Sequence, residues 1–317
     1  MRFEPGLKLA RHKELGEYLA GEIVPPVNIE ISPSGRCDAA CNWCFYRQDS
    51  CKIPGLDGKL FRESRMEGLV EEFAGFGVKS ISWTGGGEPT LHPAFPKFVE
   101  WAHWAGLKQG LFTNGQKDVE YDPTFFDWIR VSKTDKEWNE PILRKLRQCK
   151  TLGMCINYRG KEDEEVVRNT LKIAEILDSL KESEDYSTYV QVRPALKILG
   201  KTMTTETPKI THPLLKITDY KFLGSGISRE YIYCEAYHFA PFIWQDGDVD
   251  VCGYHKQESK FNLGNVYSKG EDGRFRHIMK NSPKVIPVEE NCQICCKLNA
   301  MNSIIHMMRK LEDIDFP

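Results

Sequence analysis

Short runs of apolar residues alternate along this chain with longer stretches in which apolar residues recur at helical spacing. The short runs predict strands at 29–32, 79–84, 110–113, 128–132, 154–158 and 189–193. The intervening stretches read as helices, such as the one with Met66, Leu69, Val70 and Phe73 on one face behind a capping box at 64–67. Successive strand–helix units of this kind predict an α/β fold with a parallel sheet, which right-handed crossovers curl into a barrel or part of one.

Polar residues occupy alternate positions on several of the predicted strands. They are Ser82 and Thr84; Arg130 and Ser132; Cys155, Asn157 and Arg159; and Gln191 and Arg193. Strands buried on both faces are almost wholly apolar, so this pattern predicts a lumen that holds a polar ligand. A few buried hydrogen bonds would produce the same pattern, and the sequence leaves that alternative open. Ligand sites in parallel sheets lie at the carboxyl ends of the strands.

The chain divides into four predicted parts: an N-terminal extension (1–27), the partial barrel (28–200), a polar connector or lid (201–230) and a second module (231–317). The extension has a weak helical pattern and is expected to pack across the bottom of the barrel. In the second module, 242–245 and 248–251 flank the turn Asp246–Gly247 and predict a hairpin. The last predicted element is an amphipathic helix over 301–311.

Composition narrows the classes of partner. The 317 residues carry a formal net charge of −2 with acidic and basic residues intermixed, so neither nucleic acid nor an anionic membrane is an expected partner. The first residues lack the apolar core of a signal peptide and no long apolar run occurs, so we expect a cytoplasmic protein. In that compartment the eleven cysteines are expected to bind metal rather than to form disulfides.

Three of these cysteines, Cys37, Cys41 and Cys44, follow the first predicted strand with the spacing C-x3-C-x2-C. Thiolates are soft ligands that suit iron–sulfur clusters and zinc. On a 4Fe-4S cluster, three protein ligands leave one iron open to a substrate or cofactor. A zinc site is the alternative.

The cysteine motif, followed directly by Phe45, is similar to the signature of the radical S-adenosylmethionine (radical SAM) superfamily. The later run 82–90, a glycine-rich turn that reaches Glu88, resembles the second motif of that superfamily. The resemblance implies an open, partial (β/α)6 TIM barrel. It also implies a 4Fe-4S cluster on Cys37, Cys41 and Cys44 whose open iron binds S-adenosylmethionine. Reduction would then cleave this cofactor to methionine and a 5'-deoxyadenosyl radical, which abstracts hydrogen from the substrate.

The resemblance implies that the second motif binds the methionine end of the cofactor. Gly85, Gly86 and Gly87 would let the backbone approach the methionine amino group, because residues without a Cβ remove the steric barrier. Glu88 would pair with that amino group or order the turn.

Resemblance assigns further residues to the cofactor. Asn114 and Ser132, both at strand ends, would lie near the methionine carboxylate or the ribose hydroxyls. Trp43 and Phe45 would flank the adenine. Family members commonly have Ser-Ile/Leu-Asp at the fourth strand, and this chain departs from that pattern, since it continues from Ser132 as Lys-Thr to Asp135.

The second module contains Cys234, Cys252, Cys292 and Cys295, a set that resembles the ligands of the twitch subdomain, a shortened relative of the SPASM extension. The resemblance implies one auxiliary iron–sulfur cluster, expected to be 4Fe-4S, with an electron-transfer or structural role because all four positions are ligated. Cys296 could replace Cys295. Structural zinc is the alternative, since four cysteines satisfy it equally well.

Together these resemblances imply a radical SAM oxidoreductase that acts on a small polar substrate, such as a sugar or aminocyclitol, with the auxiliary cluster as electron acceptor. Arg159, Gln191 and Arg193 would suit hydroxyls or an anionic group. An external one-electron reductant such as flavodoxin or ferredoxin would supply electrons. The alternatives are a radical epimerase with Cys155 as hydrogen donor, a peptide-modifying enzyme, and a non-catalytic iron–sulfur electron-transfer or sensor protein.

Overall fold

The protein is seen here as a computed structural model that describes residues 8–47, 56–118, 120–181, 183–198, 201–202, 204, 206–218, 231–256, 258–288 and 298–310. Its strands are β1 (Asn28–Ile31), β2 (Ser80–Trp83), β3 (Lys108–Thr113), β4 (Trp128–Ser132), β5 (Thr151–Tyr158), β6 (Ser187–Pro194), β7 (Leu196–Ile198), β8 (Lys201–Thr202), β9 (Leu215–Ile217), β10 (Tyr233–Cys234), β11 (Phe242–Ile243), β12 (Asp248–Asp250), β13 (Asn262–Asn265) and β14 (Ile286–Pro287). Its helices are α1 (Lys13–Leu19), α2 (Glu63–Phe76), α3 (Phe95–Trp104), α4 (Glu140–Leu146), α5 (Glu164–Ser179), α6 (Phe275–Asn281) and α7 (Leu298–Arg309). Among the described helices, none is long and apolar enough to cross a membrane.

A sheet of ten strands runs through the described part of the chain in the order β13-β12-β11-β1-β2-β3-β4-β5-β6-β9. Strands β1 to β6 are parallel neighbours in chain order, which confirms the predicted α/β fold with a large parallel sheet. Parallel neighbours need a crossover connection, and helices α2 to α5 supply most of these connections. Within the described residues, the edge strands β13 and β9 do not pair with each other, so the sheet is open.

The hydrophobic pattern predicted these strands closely. The prediction at 128–132 coincides with β4, and the other five predictions overlap an observed strand with ends within three residues. One helix start was predicted wrongly. Helix α2 begins at Glu63 rather than behind a capping box at Ser64, and Arg62 stands at its N-cap without a side-chain hydrogen bond.

The main core lies between the sheet and the helices on its outer face. The apolar stripe predicted for α2 is buried, since Met66, Leu69, Val70 and Phe73 are each at most 1% exposed. These side chains belong to one cluster with apolar residues of β1 to β6. Because this face of the strands is filled by the helices, polar residues on the opposite face are left to line a cavity.

The second module is continuous with the main sheet instead of forming a separate layer. Strand β11 runs parallel to β1, with Phe242 opposite Glu30, and β12 and β13 add to it in antiparallel fashion. The hairpin predicted between β11 and β12 is confirmed. Gly247, at φ 86°, occupies its turn and donates its N–H to the carbonyl of Trp244 at 2.9 Å. Few side chains other than glycine adopt that φ without strain.

A second apolar cluster joins the two ends of the chain. Leu15 and Tyr18 of α1 pack with Tyr237, Phe239 and Ile305 of the C-terminal part. The N-terminal extension was expected to pack across the barrel bottom. Its helix packs mainly on the second module, although Glu14 does reach the amino end of β2, where it pairs with Lys79 at 3.2 Å.

The region predicted as a connector contains regular structure. Strands β7 and β8 pair in antiparallel fashion, and β9 extends the main sheet in parallel to β6. Sequence patterns missed these strands because each has only two or three residues, too few to show an alternation.

Candidate active site

The cysteine motif forms a loop at the carboxyl end of β1. The sheet fixes the start of this loop, because Ser32, the residue after β1, donates its backbone N–H to the carbonyl of Ile243 at 2.8 Å. Within the loop, the N–H of Cys44 donates to the carbonyl of Cys41 at 3.1 Å, so the chain turns tightly there. Cys37, Cys41 and Cys44 all line one cavity of about 470 Å³. The three predicted ligands are therefore brought to a single site.

The thiols of this loop are partly shielded from water. Burial raises the pKa of Cys37, and it raises the pKa of Cys41 to about 11. A raised pKa favours the protonated thiol, so binding of a metal by these thiolates would release protons. In the described part of the chain, no three His, Cys, Asp or Glu side chains are grouped so as to hold a single metal ion. The thiolates of a 4Fe-4S cluster bind three different irons and need not converge on one point.

The glycine turn packs directly against the cysteine loop. Gly85, Gly86 and Gly87 follow β2 and line the same cavity. Gly87 donates its N–H to the carbonyl of Ser34 at 3.2 Å. A Cβ at Gly87 would lie 2.3 Å from the carbonyl oxygen of Arg36 and 2.5 Å from that of Ser34. Glycine is therefore needed at 87 for contact between the two motifs.

Glu88 is 3% exposed, and its carboxylate is held entirely by neighbouring backbone and hydroxyl groups. One oxygen accepts hydrogen bonds from the N–H of Thr90 at 3.2 Å, the hydroxyl of Thr90 at 2.8 Å and the hydroxyl of Thr113 at 2.7 Å. The other oxygen accepts from the N–H of Asn114 at 2.6 Å. Burial raises the pKa of Glu88. Of the two roles expected for Glu88, these contacts are those of ordering the turn, and they tie it to the end of β3.

Asn114 connects the end of β3 to the cysteine loop. Its side-chain amide donates to the carboxylate of Asp38, between Cys37 and Cys41, at 2.6 Å. Its side-chain oxygen accepts from the N–H of Gln116 at 2.9 Å. Asn114 lines the cavity, and its side chain is already engaged by the protein, so its predicted contact with the cofactor stays a prediction.

The loop after β4 also reaches the cysteine motif. Ser132, at the end of β4, lines the cavity. Asp135 accepts a hydrogen bond from the N–H of Ala40 at 3.1 Å and lies 3.6 Å from Sγ of Cys41. The hydrogen bond from Ala40 lowers the pKa of Asp135. From the sequence, Asp135 was identified only as a departure from the family pattern. Its contact with the cysteine loop could have been suggested by the position of an acidic residue three residues after the end of a strand.

Two aromatic side chains of the cysteine loop, Trp43 and Tyr46, line the cavity. Trp43 lines it, with the guanidinium of Arg159 5.2 Å from the ring centroid. The side chain of Phe45 lies outside what the structure describes. Tyr46, which sequence reasoning did not single out, packs edge-on against Trp244 and donates its hydroxyl to the carbonyl of Gly253 at 3.5 Å. Tyr46 thus links the cysteine loop to the second module.

The far wall of the cavity comes from β5 and β6, where Asn157, Gln191 and Arg193 are among the lining residues, as their predicted lumen positions required. Arg193 donates from Nε to the side-chain oxygen of Asn157 at 2.9 Å. Cys155 stands in register between Ser132 and Gln191, but it is fully buried and is not one of the residues lining the cavity. Its role as a hydrogen donor stays a prediction and would require access to the cavity.

Two of the four cysteines predicted for an auxiliary site are described. Cys252 is a buried member of the second apolar cluster, and Cys234 packs against the same cluster. The side-chain amide of Asn302 donates to Sγ of Cys234 at 3.3 Å. The remaining predicted residues lie outside the described residues: Cys292, Cys295 and the alternative Cys296.

Comparison of the sequence with known proteins gave one significant curated match. No protein-family model matches the chain. The S-adenosylmethionine-dependent nucleotide dehydratase of Lacinutrix mariniflava is 29% identical over 142 residues, which cover 43% of this chain and 29% of that protein. The match therefore spans less than a third of the relative's length.

Solved structures share the fold. SuiB of Streptococcus suis bound to its precursor peptide SuiA has a TM-score of 0.59 at 16% identity, over 88% of this chain and 70% of SuiB. SuiB bound to S-adenosylmethionine has a TM-score of 0.55 at 15% identity, over 82% of this chain and 68% of SuiB. The protein anSMEcpe with bound S-adenosylmethionine has a TM-score of 0.52 at 19% identity, over 88% of each chain. These neighbours are radical SAM enzymes. At these identities, what the likeness shows is a fold that this chain shares with proteins that bind S-adenosylmethionine.

Proposed function

We propose that this chain is a radical SAM enzyme that holds a 4Fe-4S cluster on Cys37, Cys41 and Cys44 and binds S-adenosylmethionine beside it. The observation that carries this proposal is that the cysteine loop, the glycine turn and the ends of β3 and β4 line one cavity. That cavity lies at the carboxyl edge of the parallel sheet, where ligands of such sheets bind. The fold shared with proteins solved with S-adenosylmethionine supports the same function.

The donor set fits the cluster. Three soft thiols line one wall of the cavity, and two carboxylates brace the loop that carries them. Asp38 is bound by Asn114, and Asp135 binds the N–H of Ala40, so the loop is attached to both β3 and β4. A braced loop can hold its thiols in the geometry that a cluster requires without ordering on binding.

The cavity provides groups for the cofactor. Gly85, Gly86 and Gly87 have no side chain to keep a methionine amino group from their backbone, and Ser132 lines the same cavity. Trp43 offers a ring face at the end where adenine would bind, with Phe45 as its proposed partner. When bound, S-adenosylmethionine and the reduced cluster supply a 5'-deoxyadenosyl radical that removes hydrogen from carbon. The protein's part is to orient cofactor and substrate and to exclude water.

The proposed reaction is net oxidation of a small polar substrate, with an auxiliary cluster on Cys234, Cys252, Cys292 and Cys295 accepting the second electron. Asn157 and Gln191 on the far wall support a substrate with hydroxyls. The burial of Cys155 favours oxidation over epimerisation, since that thiol is not in the wall of the cavity. An external reductant of the flavodoxin or ferredoxin class would reduce the first cluster.

The test is spectroscopic. Protein reconstituted anaerobically with iron and sulfide is reduced and examined by electron paramagnetic resonance before and after addition of S-adenosylmethionine. We expect a 4Fe-4S signal that changes when S-adenosylmethionine is added, because the open iron gains ligands. The variants Cys37→Ala, Cys41→Ala and Cys44→Ala are expected to lose this signal, whereas Cys149→Ala, which removes a fully buried core thiol, should retain it. A 4Fe-4S signal that does not change when S-adenosylmethionine is added would refute the proposal.

A further inference from the structure

Arg130 brings a positive charge into the cavity from the middle of β4. In the sheet register Phe112, Arg130, Gly153 and Tyr189 stand side by side on four neighbouring strands. Phe112 and Arg130 both line the cavity. Ser132, the residue proposed to meet the cofactor, stands two residues nearer the carboxyl end of β4. Arg130 therefore lies deeper along the strand than the proposed cofactor groups.

The neighbours of Arg130 hold its guanidinium in a fixed orientation. Nε donates to the hydroxyl of Tyr189 at 3.1 Å. A Cβ at Gly153 would lie 2.5 Å from Cζ of Tyr189, so the missing side chain is what lets the tyrosine ring reach across to Arg130. The guanidinium carbon is 5.1 Å from the ring centroid of Phe112 and 5.5 Å from that of Trp128. Aromatic faces at these distances stabilise a guanidinium.

The outer edge of this guanidinium has no partner within the described residues. Nη1 and Nη2 make no hydrogen bond there and are not sealed off from solvent, and Arg130 lines the cavity. The carboxylates that line the cavity are Glu30 on β1 and Glu88 after β2. Strand β3 lies between β2 and β4, which separates these strands from β4 by at least about 10 Å. Glu88 is also fully occupied by other donors.

A second cation strengthens the positive potential. Nζ of Lys216 on β9 lies 4.2 Å from the ring centroid of Tyr189, the tyrosine that holds Arg130. Burial, and then the positive charge of Arg130, lower the pKa of Lys216. The positive charge of Lys8 also lowers that pKa, and positive charges placed close together favour the binding of an anion.

We infer that Arg130 forms a binding subsite for an oxyanion group of the substrate, a phosphate or a carboxylate. A guanidinium with two free nitrogens matches either group by two parallel hydrogen bonds. The inference rests on the proposed function, because it gives the end of the cavity near the cysteine loop to the cofactor and the deeper end to the substrate. The inference narrows the proposed substrate class from polar molecules to anionic ones. It also makes Arg130 the residue that determines this specificity.

The test uses three probes with the same carbon skeleton: glycerol phosphate, glycerate and glycerol. Their binding to reconstituted protein saturated with S-adenosylmethionine is measured by ligand-detected nuclear magnetic resonance. We expect both anions to bind and glycerol not to bind, and the stronger anion identifies the group. Arg130→Gln should weaken anion binding about tenfold or more. The matched control Arg144→Gln removes the same charge from an exposed position on α4 and should bind as the wild type does.

Three outcomes would overturn the inference: equal binding of glycerol and the anions, unchanged anion binding in Arg130→Gln, or a loss of affinity for S-adenosylmethionine in that variant without a loss for the anions. The last result would mean that Arg130 serves the cofactor. The proposed function is judged separately, by whether the wild-type protein cleaves S-adenosylmethionine. If the wild-type protein did not cleave S-adenosylmethionine but still bound anions through Arg130, the proposed function would be refuted and the anion subsite would be supported.

Discussion

The side-chain amide of Asn114 donates a hydrogen bond to the carboxylate of Asp38 at 2.6 Å, joining the end of β3 to the loop between Cys37 and Cys41. The backbone N–H of the same residue bonds Glu88 after β2. Asn114 thus links the glycine turn to the cysteine loop. Its place at a strand end was predicted, but its partner Asp38, which is 76 residues away, could not be read from the sequence.

Replacing Asn114 by Ala should loosen the cysteine loop while leaving the backbone bond to Glu88 intact. Loss of the hydrogen bond to the charged Asp38, together with loss of the one accepted from the N–H of Gln116, should lower the free energy of unfolding by about 2–3 kcal/mol. We also expect less iron per chain after reconstitution, measured with urea unfolding on the same preparation. Asn281→Ala, which removes an exposed amide bonded within its own helix, should change neither quantity appreciably. Full iron content in Asn114→Ala would contradict a bracing role.

A methyl group at Gly87 should separate the two motifs. Its Cβ would meet backbone carbonyls at 2.3 and 2.5 Å, which cannot move as a flexible side chain would, so Gly87→Ala should destabilise the protein by about 2 kcal/mol or more. The control is Gly75→Ala in α2, where nothing lies within 4 Å of the added Cβ. There helix propensity predicts a gain of up to about 1 kcal/mol. Urea midpoints that fall equally in both variants would show that the contact at Gly87 is unimportant.

His92 should make stability depend on pH. Its ring donates from one nitrogen to the carbonyl of Phe61 at 2.8 Å and accepts the N–H of Ala94 at the other, and burial lowers its pKa. The unfolded chain therefore takes up a proton near pH 6.5 before the folded chain does, so stability is full above that pH and falls below it. We expect a loss of about 1 kcal/mol between pH 7.5 and 5.5 from this residue, measured by urea unfolding.

The variant His92→Gln should lose less stability over the same pH interval than the wild type. His103→Gln, which changes a histidine stacked on Phe125 outside the main core, should keep the wild-type dependence. An unchanged pH dependence in His92→Gln would show that another group is responsible.

Replacing Cys252 should remove the proposed auxiliary cluster and leave the cluster on Cys37, Cys41 and Cys44 intact. If both proposed clusters are 4Fe-4S, Cys252→Ala should lower the iron content of reconstituted protein from about eight to about four per chain. The signal that responds to S-adenosylmethionine should remain, because it belongs to Cys37, Cys41 and Cys44. Cys149→Ala should retain all the iron. If the iron content per chain of Cys252→Ala equalled that of the wild type, the proposal of an auxiliary cluster at this site would be refuted.

Much of the fold could be predicted from local pattern. Strands β1 to β6 show apolar runs and helix α2 shows a clear apolar stripe, since burial on one face imposes a period on the sequence. The hairpin of β11 and β12 was predicted, but its addition to the main sheet beside β1 was not, and β9 was missed because a strand of three residues is placed by its partner rather than by its own pattern.

The site was predictable in its residue types and less so in its contacts. Cys37, Cys41, Cys44 and Gly87 were identified by motif, and the structure brings them to one cavity. The bonds that hold them, from Asp135 to Ala40 and from Glu88 to the end of β3, join residues distant along the chain. Such pairs are fixed by the register of the sheet, which a single sequence does not reveal.

The most direct test is cleavage of S-adenosylmethionine. Anaerobically reconstituted protein is reduced with dithionite and incubated with S-adenosylmethionine, and the products are separated chromatographically. We predict 5'-deoxyadenosine and methionine in equal amounts, and none from the Cys41→Ala variant. Intact S-adenosylmethionine in the presence of a reduced, fully loaded first cluster would contradict the proposed function.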